Sequence, residues 1–232
     1  IEDVLVPNHY GHMGEEFPLS KSQREAFAKS QYENHSDIFA INGPPGTGKT
    51  TILQSFIANS LVNAVLNNTP PPLIVGCSSN NQAITNILDS MKLENKSKDI
   101  LQERWLPGVN SFGLYLTGTS KKTEELKKYQ CATSPFFTEG FVYQMDEEIN
   151  IRECVEYVID KFKEYVKHHH LDYDFSKNTK IESVLAYLRE LIEECKKEID
   201  DYTNAALLKY TIPALLKAND FDNEHEIFHK IE

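Results

Sequence analysis

The chain of 232 residues is 40% apolar and carries a formal net charge of −11, which suits one large domain or one domain with a sizeable insertion. No run approaches the ~18 apolar residues of a membrane span, and Ile1-Glu2-Asp3-Val4 has no basic region leading into an apolar one, so neither a membrane span nor an export signal is indicated. Cys77, Cys131, Cys154 and Cys195 stand far apart with no CxxC, which argues against a disulfide framework or zinc site and for reduced thiols in a cytoplasmic protein.

The acidity is uneven. Residues 1–145 hold 12 Lys+Arg against 14 Asp+Glu, a balance of −2, and residues 146–232 hold 12 against 21, a balance of −9. An acidic total argues against a nucleic-acid binder, which usually carries a basic face, but the near-neutral first part leaves room for a local basic track.

Residues 1–18 form a lead-in segment punctuated by Pro7, Gly11, Gly14 and Pro18. The first residue is not Met, which suggests a chain excised from a longer protein or processed at its N-terminus. A helix then starts at Leu19-Ser20-Lys21-Ser22-Gln23, where Ser20 and Gln23 have the spacing of a capping box. An amide at Gln23 also suits the edge of a base, since it offers both donors and an acceptor. The two roles compete for the same atoms.

Ile38-Phe39-Ala40-Ile41 reads as a short buried strand and Thr51 to Leu66 as a helix, with Ile52, Leu53, Phe56, Ile57 and Leu61 on one face. Between them, Gly43-Pro44-Pro45-Gly46-Thr47-Gly48-Lys49-Thr50 matches GxxxxGK[ST] at every fixed position. Glycines let the backbone aim successive amides at one point, and the helix that follows adds its positive end, so the loop is predicted to bind phosphate. In such a loop Lys49 reaches phosphate oxygens and the Thr50 hydroxyl ligates magnesium.

A second run, Leu73-Ile74-Val75-Gly76-Cys77, leads through Ser78-Ser79-Asn80-Asn81-Gln82 into a helix carrying Ala83, Ile84, Ile87, Leu88 and Met91. The βαβα order predicts a parallel sheet with helices on its faces, with this polar loop at the ligand edge. Small hydroxyls and amides there suit a phosphodiester backbone; they equally suit a helix cap.

Gln23 in LSKSQREAF, GPPGTGKTT at residues 43–51 and CSSNNQAITNIL at residues 77–88 resemble, in this order, the Q motif, motif I and motif Ia of superfamily 1 helicases, nearest to the Upf-type and Dna-type branch. The resemblance covers residues 19 to about 91. It implies an α/β, RecA-like P-loop NTPase sheet, ATP with Mg2+ as fuel, and single-stranded DNA or RNA as track. Carried over, Gln23 contacts adenine, Gly43, Pro44, Pro45, Gly46, Thr47, Gly48, Lys49, Thr50 and Thr51 surround the phosphates with Thr50 on magnesium, and Asn80 and Asn81 touch the nucleic-acid backbone. On this basis the adenine role of Gln23 is preferred, with partial capping as a compatible minor state.

Further along, Trp105 in Arg104-Trp105-Leu106-Pro107-Gly108 can stack on a base, but a lone Trp beside apolar residues reads first as packing. Lys121, Lys122, Lys127 and Lys128, interleaved with Glu124 and Glu125, read first as a solvated helix face, with a phosphate track as the alternative. From Asp146, apolar residues at helical spacing run from Ile151 to Val166 and again from Ile181 to Tyr202, where Thr179 and Glu182 suit a capping box. Two such helices with a short loop suggest an antiparallel hairpin, similar to the helical insertion of superfamily 1 motors. The expected organisation is thus a lead-in over residues 1–18, the front of a RecA-like domain over 19–145, and a helical insertion over 146–232 that also offers an acidic surface for a protein partner. Adjacent His168, His169 and His170 point in different directions along a helix and do not form a ligand cluster.

Hydrolysis needs an acidic residue at a strand end. Phe141-Val142-Tyr143-Gln144-Met145-Asp146-Glu147-Glu148 is the one candidate after Lys49, but Gln144 interrupts the apolar run and the carboxylates suit a helix start. Motif II and the later helicase motifs are then expected beyond Glu232, leaving a chain that binds nucleotide and hydrolyses it poorly. Two other classes fit the loop: an AAA+-type ATPase, which needs an Asp-Glu strand end roughly 50–60 residues after the lysine, and a nucleotide-gated module that binds protein through the helical hairpin.

Overall fold

The computed structural model describes residues 8–13, 18–32, 38–93, 100–116, 129–131, 148–178 and 180–218. Among these, the helices are α1 (Lys21–Tyr32), α2 (Lys49–Leu66), α3 (Asn81–Ser90), α4 (Glu148–His168) and α5 (Ile181–Ala218), with a 3-10 turn at Ile100–Gln102. The chain divides into two compact units, one containing the residues up to Ile74 and those from Arg189 on, the other Val75–Leu188.

In the first unit, α1 and α2 meet through Leu19, Phe27 and Ile52, which are buried, with Ala26, Ile41 and Phe56 against them. Phe27 is fully buried and stacks on Phe56 at 4.7 Å between ring centroids. Residues 8–13 are strapped across α2. Asn59 Oδ1 accepts the N–H of Tyr10 at 2.8 Å and of Gly11 at 3.1 Å. The His12 imidazole lies 2.7 Å from Ser55 Oγ, and the His9 ring packs on Phe27 at 4.3 Å. The strap runs so close to the helix that a Cβ at Gly11 would overlap the backbone of Ala58 and Asn59. The same strap reaches α5: Tyr10 OH donates to Asp200 Oδ1 at 2.9 Å, and the Lys196 ammonium sits 5.0 Å from the Tyr10 ring centroid. The hydrogen bond from Lys196 holds the Asp200 carboxyl below the usual carboxylate range.

This strap changes which face of α2 is inside. Apolar spacing predicts Ile52, Leu53, Phe56, Ile57 and Leu61; the buried residues are Ile52, Ser55, Asn59 and Ala64, and Leu53 is exposed. Two polar side chains are buried because each meets a polar partner from the strap, which removes the desolvation penalty.

In the second unit, the Asn80 side chain accepts the N–H of Gln82 at 2.9 Å and so caps α3. Leu88 and Met91 close over Gly113, where a side chain would collide with Leu88. Isolated bridges join Lys92 to Ser111 and Tyr115 to Cys131. The core of this unit is Phe162, Val166 and Val184, surrounded by Trp105, Tyr165, Tyr173, Phe175 and Tyr187. The Phe162 ring is approached edge-on by Tyr173, Phe175 and Tyr187 at 4.9, 5.9 and 5.8 Å, the geometry the aromatic quadrupole favours. Lys161 donates to Glu103 Oε2 at 2.7 Å and to Glu164 Oε2 at 2.9 Å, pinning α4 to the segment after the 3-10 turn. At its C-terminus α4 closes with the Leu171 N–H on Val166 O and His170 at φ 53°, the left-handed turn that satisfies final helix carbonyls.

Ile38–Asn42 and Leu73–Cys77, the runs predicted as strands, form no ladder among the described residues. Ile38, Leu73 and Val75 are 99%, 92% and 68% exposed. A strand has no local hydrogen bonds of its own and takes its structure from neighbours on either side, so these runs alone do not build a sheet. The basic stretch Lys121–Lys128, the candidate acid Asp146 with Glu147, and Thr179 lie outside the described residues.

Candidate functional site

The glycine loop leaves Asn42 and turns at Pro44–Thr47. The Thr47 N–H and hydroxyl both reach Pro44 O, at 3.4 and 2.8 Å. Gly46 and Gly48 take φ values of +81° and +77°, which glycine adopts without the clash that a Cβ brings. Gly48 is the N-cap of α2: its carbonyl accepts the Ile52 N–H at 3.2 Å, and no side chain caps the helix. The amides of the first turn, which have no partner within a helix, therefore face outward with the positive end of an 18-residue helix behind them. Lys49 is exposed, and its ammonium donates to Gly43 O at 2.6 Å and Pro44 O at 2.8 Å, which holds it over the loop. Thr50 is exposed and Thr51 half-buried in the same turn.

This donor set fits a phosphorylated ligand and a hard cation. Residues 43–51 offer backbone N–H groups, one ammonium and the hydroxyls of Thr47, Thr50 and Thr51, with no carboxylate to repel phosphate. A hydroxyl oxygen at Thr50 is an appropriate ligand for magnesium, which takes oxygen donors alongside phosphate oxygens.

Gln23 lies at this loop, but its amide is occupied by the chain. Its Oε1 accepts the Ser20 N–H at 2.6 Å, half of the expected capping box, and its Nε2 donates to Thr47 O at 3.1 Å and Gly48 O at 3.0 Å. Gln23 is only 9% exposed. The spacing of Ser20 and Gln23 makes the first contact visible in the sequence; the contacts to Thr47 and Gly48, 24 and 25 residues away, carry no local signal. Ser55 and Asn59 carry only a weak local signal, two polar residues a helical turn apart on a helix that also holds Gln54, Ser60 and Asn63.

Asn80 and Asn81 stand in a fully exposed stretch with Ser78 and Ser79. Asn80 performs the capping role, and its own N–H donates to Ser78 Oγ at 3.1 Å. Trp105 is used in packing: its indole N–H donates to Ile100 O at 2.9 Å and its ring meets Tyr165 edge-on at 5.8 Å. His168 and His169 sit at the exposed end of α4 with their rings 4.9 Å apart.

No curated protein and no solved structure matches the chain. A family model described as an AAA domain matches residues 18–225, nearly the whole chain and all of the glycine loop. With a GxxxxGK[ST] loop folded against a helix N-terminus and this match over most of its length, the chain belongs to the AAA domain family of the superfamily 1 helicase type, a family of P-loop NTPases.

Proposed function

We propose that this chain is the ATP-binding front of an ATP-dependent helicase or translocase that works on single-stranded nucleic acid. The observation that carries the reading is the loop geometry, with Gly46 and Gly48 left-handed, an uncapped helix start immediately after them, and Lys49 held across the opening. Family membership and the order of motifs support the motor class. In this reading the amides of residues 43–51 and the Lys49 ammonium bind the phosphates of ATP, orienting the terminal phosphoryl group and offsetting its charge. The Thr50 hydroxyl holds Mg2+, which when bound neutralises charge on the phosphate oxygens.

Residues 38–42 and 73–77 serve as strands of a RecA-like parallel sheet, within a nucleotide-binding part spanning 19–145, and residues 146–232 form a helical insertion. Turnover by this chain is slow, because Asp146 follows a run broken by Gln144 and is poorly placed for a strand-end acid. Ser78, Asn80 and Asn81, polar and exposed at a helix start, supply contacts to the nucleic-acid backbone without reading sequence.

The test is fluorescence anisotropy with labelled single-stranded DNA and RNA, with and without ATP and Mg2+. The expected result is binding to a single strand that changes with ATP, weakened roughly tenfold by Asn80→Asp with Asn81→Asp, since added carboxylates repel phosphates. No binding to either strand, or equal binding by the variant, contradicts the reading.

A further inference from the structure

We infer that residues 8–13 form a proton-released strap between α5 and the helix of the phosphate loop, closed while His9 is neutral and opened when its ring takes up a proton.

The closed strap is fastened by polar contacts on both helices. On α2, Asn59 Oδ1 accepts the N–H groups of Tyr10 and Gly11, and Ser55 Oγ pairs with the His12 ring. Asn59 and Ser55 are buried, so the strap supplies the partners that water would otherwise provide. On α5, Asp200 Oδ1 accepts the Tyr10 hydroxyl, and the Lys196 ammonium lies over the same ring. Tyr10 thus joins the two helices, its N–H to α2 and its hydroxyl to α5.

His9 is where this fastening is weakest. Its ring packs on the fully buried Phe27, and its Nε2 is enclosed with no hydrogen-bond partner among the described residues. A neutral imidazole can keep that nitrogen free of a proton, whereas an imidazolium carries N–H on both nitrogens. Protonation in place would therefore bury a charged donor without an acceptor.

The surroundings offer no compensation. From α1 the ring meets Phe27; Arg24 donates to Leu19 O, and the helical period turns Lys21, Glu25 and Lys29 away from Phe27. From α2 the only titratable side chain is Lys49, at the far start of the helix. Within the strap, His12 sits 6.1 Å away between ring centroids and adds a like charge when protonated. On α5, Asp200 and Lys196 are engaged with each other and with Tyr10. Burial and then His12 lower the His9 pKa, against a backbone hydrogen bond at Gly11 that raises it. With the strap open, the ring is a solvated histidine that titrates near its ordinary value of about 6.5. Closure is therefore complete above that pH and weakens below it, by up to about tenfold per pH unit for one proton.

The experiment follows amide hydrogen exchange at Tyr10 and Gly11 in the full chain from about pH 7.5 to 5.5, divided by the intrinsic rate at each pH. Protection should hold above about pH 6.5 and fall by up to about tenfold over the next unit, and in His9→Phe, which keeps a ring against Phe27, it should stay level. Asp200 is held in its ionised form over this range, so its carboxylate carbon signal reports loss of the Tyr10 hydroxyl and should shift with the exchange. In Asn59→Ala, which unfastens the strap from α2, the His9 ring titration followed by NMR should rise towards the ordinary value. Circular dichroism checks that both variants fold, and if His9→Phe does not, the titration in Asn59→Ala decides. Level protection in the unaltered chain, an equal fall in folded His9→Phe, or an unmoved His9 titration in Asn59→Ala would overturn the inference. A constant Asp200 signal while protection falls would overturn the tie to α5.

Discussion

Gly46 and Gly48 form an internal control for the loop, because they share a left-handed backbone and differ in what faces them. Replacing either with alanine puts a Cβ into the left-handed region, at about 1–2 kcal/mol. Gly46→Ala should cost that and little more, since nothing lies within 4 Å of its Cβ. Gly48→Ala also pushes Gln23 Nε2 off Thr47 O and Gly48 O, and two neutral hydrogen bonds at ~0.5–1.5 kcal/mol each bring its cost to about 2–5 kcal/mol. In a Gln23→Ala background the two glycine substitutions should become equal, leaving a coupling of about 1–3 kcal/mol between Gln23 and Gly48. Urea denaturation followed by far-UV circular dichroism is the assay. Trp105, the single tryptophan, lies in the other compact unit, so its fluorescence identifies which transition belongs to which unit. Equal costs for Gly46→Ala and Gly48→Ala in the unaltered background, or strict additivity of Gln23→Ala with Gly48→Ala, would refute the contact.

Other perturbations follow from the packing. Phe162 is fully buried among aromatic rings, so Phe162→Ala should destabilise the unit Val75–Leu188 by ~3–5 kcal/mol, read as a shifted Trp105 fluorescence transition; a shift under about 1 kcal/mol would contradict this core. Lys161→Met removes the ammonium that donates to Glu103, which is mostly shielded from solvent, at about 1–3 kcal/mol, and Glu103→Leu in the same chain should restore part of the loss. Glu103 and Glu164 raise the Lys161 pKa, so this contribution is full below the ordinary lysine pKa and fades as pH climbs above it; Lys161→Met should flatten that alkaline loss. His9 has the opposite sense. Burial, with His12 nearby, lowers its pKa, so the unfolded chain takes a proton near pH 6.5 that the folded chain resists. Stability should be full above that pH and fall below it, and His9→Phe, which keeps a ring against Phe27, should reduce the slope between pH 7 and 5. An unchanged slope would remove His9 from the account.

The glycine loop was legible because phosphate binding demands particular residues at fixed positions, and helix positions were legible because their hydrogen bonds are local. Half of Gln23 was legible for the same reason: its contact with Ser20 spans three residues. Its grip on Thr47 and Gly48 depends on how α1 meets the loop, which no local pattern encodes. The buried face of α2 departs from the apolar spacing because residues 8–13 present N–H groups and an imidazole to Ser55 and Asn59, contacts between segments more than 40 residues apart that no local pattern encodes. Strand expectations at Ile38–Asn42 and Leu73–Cys77 rest on neighbours that local sequence does not identify. Trp105 followed the general preference of large aromatic residues for packing.

Calorimetric titration of ATP with Mg2+ into the full chain and its Lys49→Ala variant tests the central claim most directly. Charge-assisted hydrogen bonds from the Lys49 ammonium contribute about 1.5–3 kcal/mol each, so the account predicts saturable binding at one site and at least a roughly tenfold loss in the variant. No binding by the unaltered chain, or equal binding by both, would contradict it.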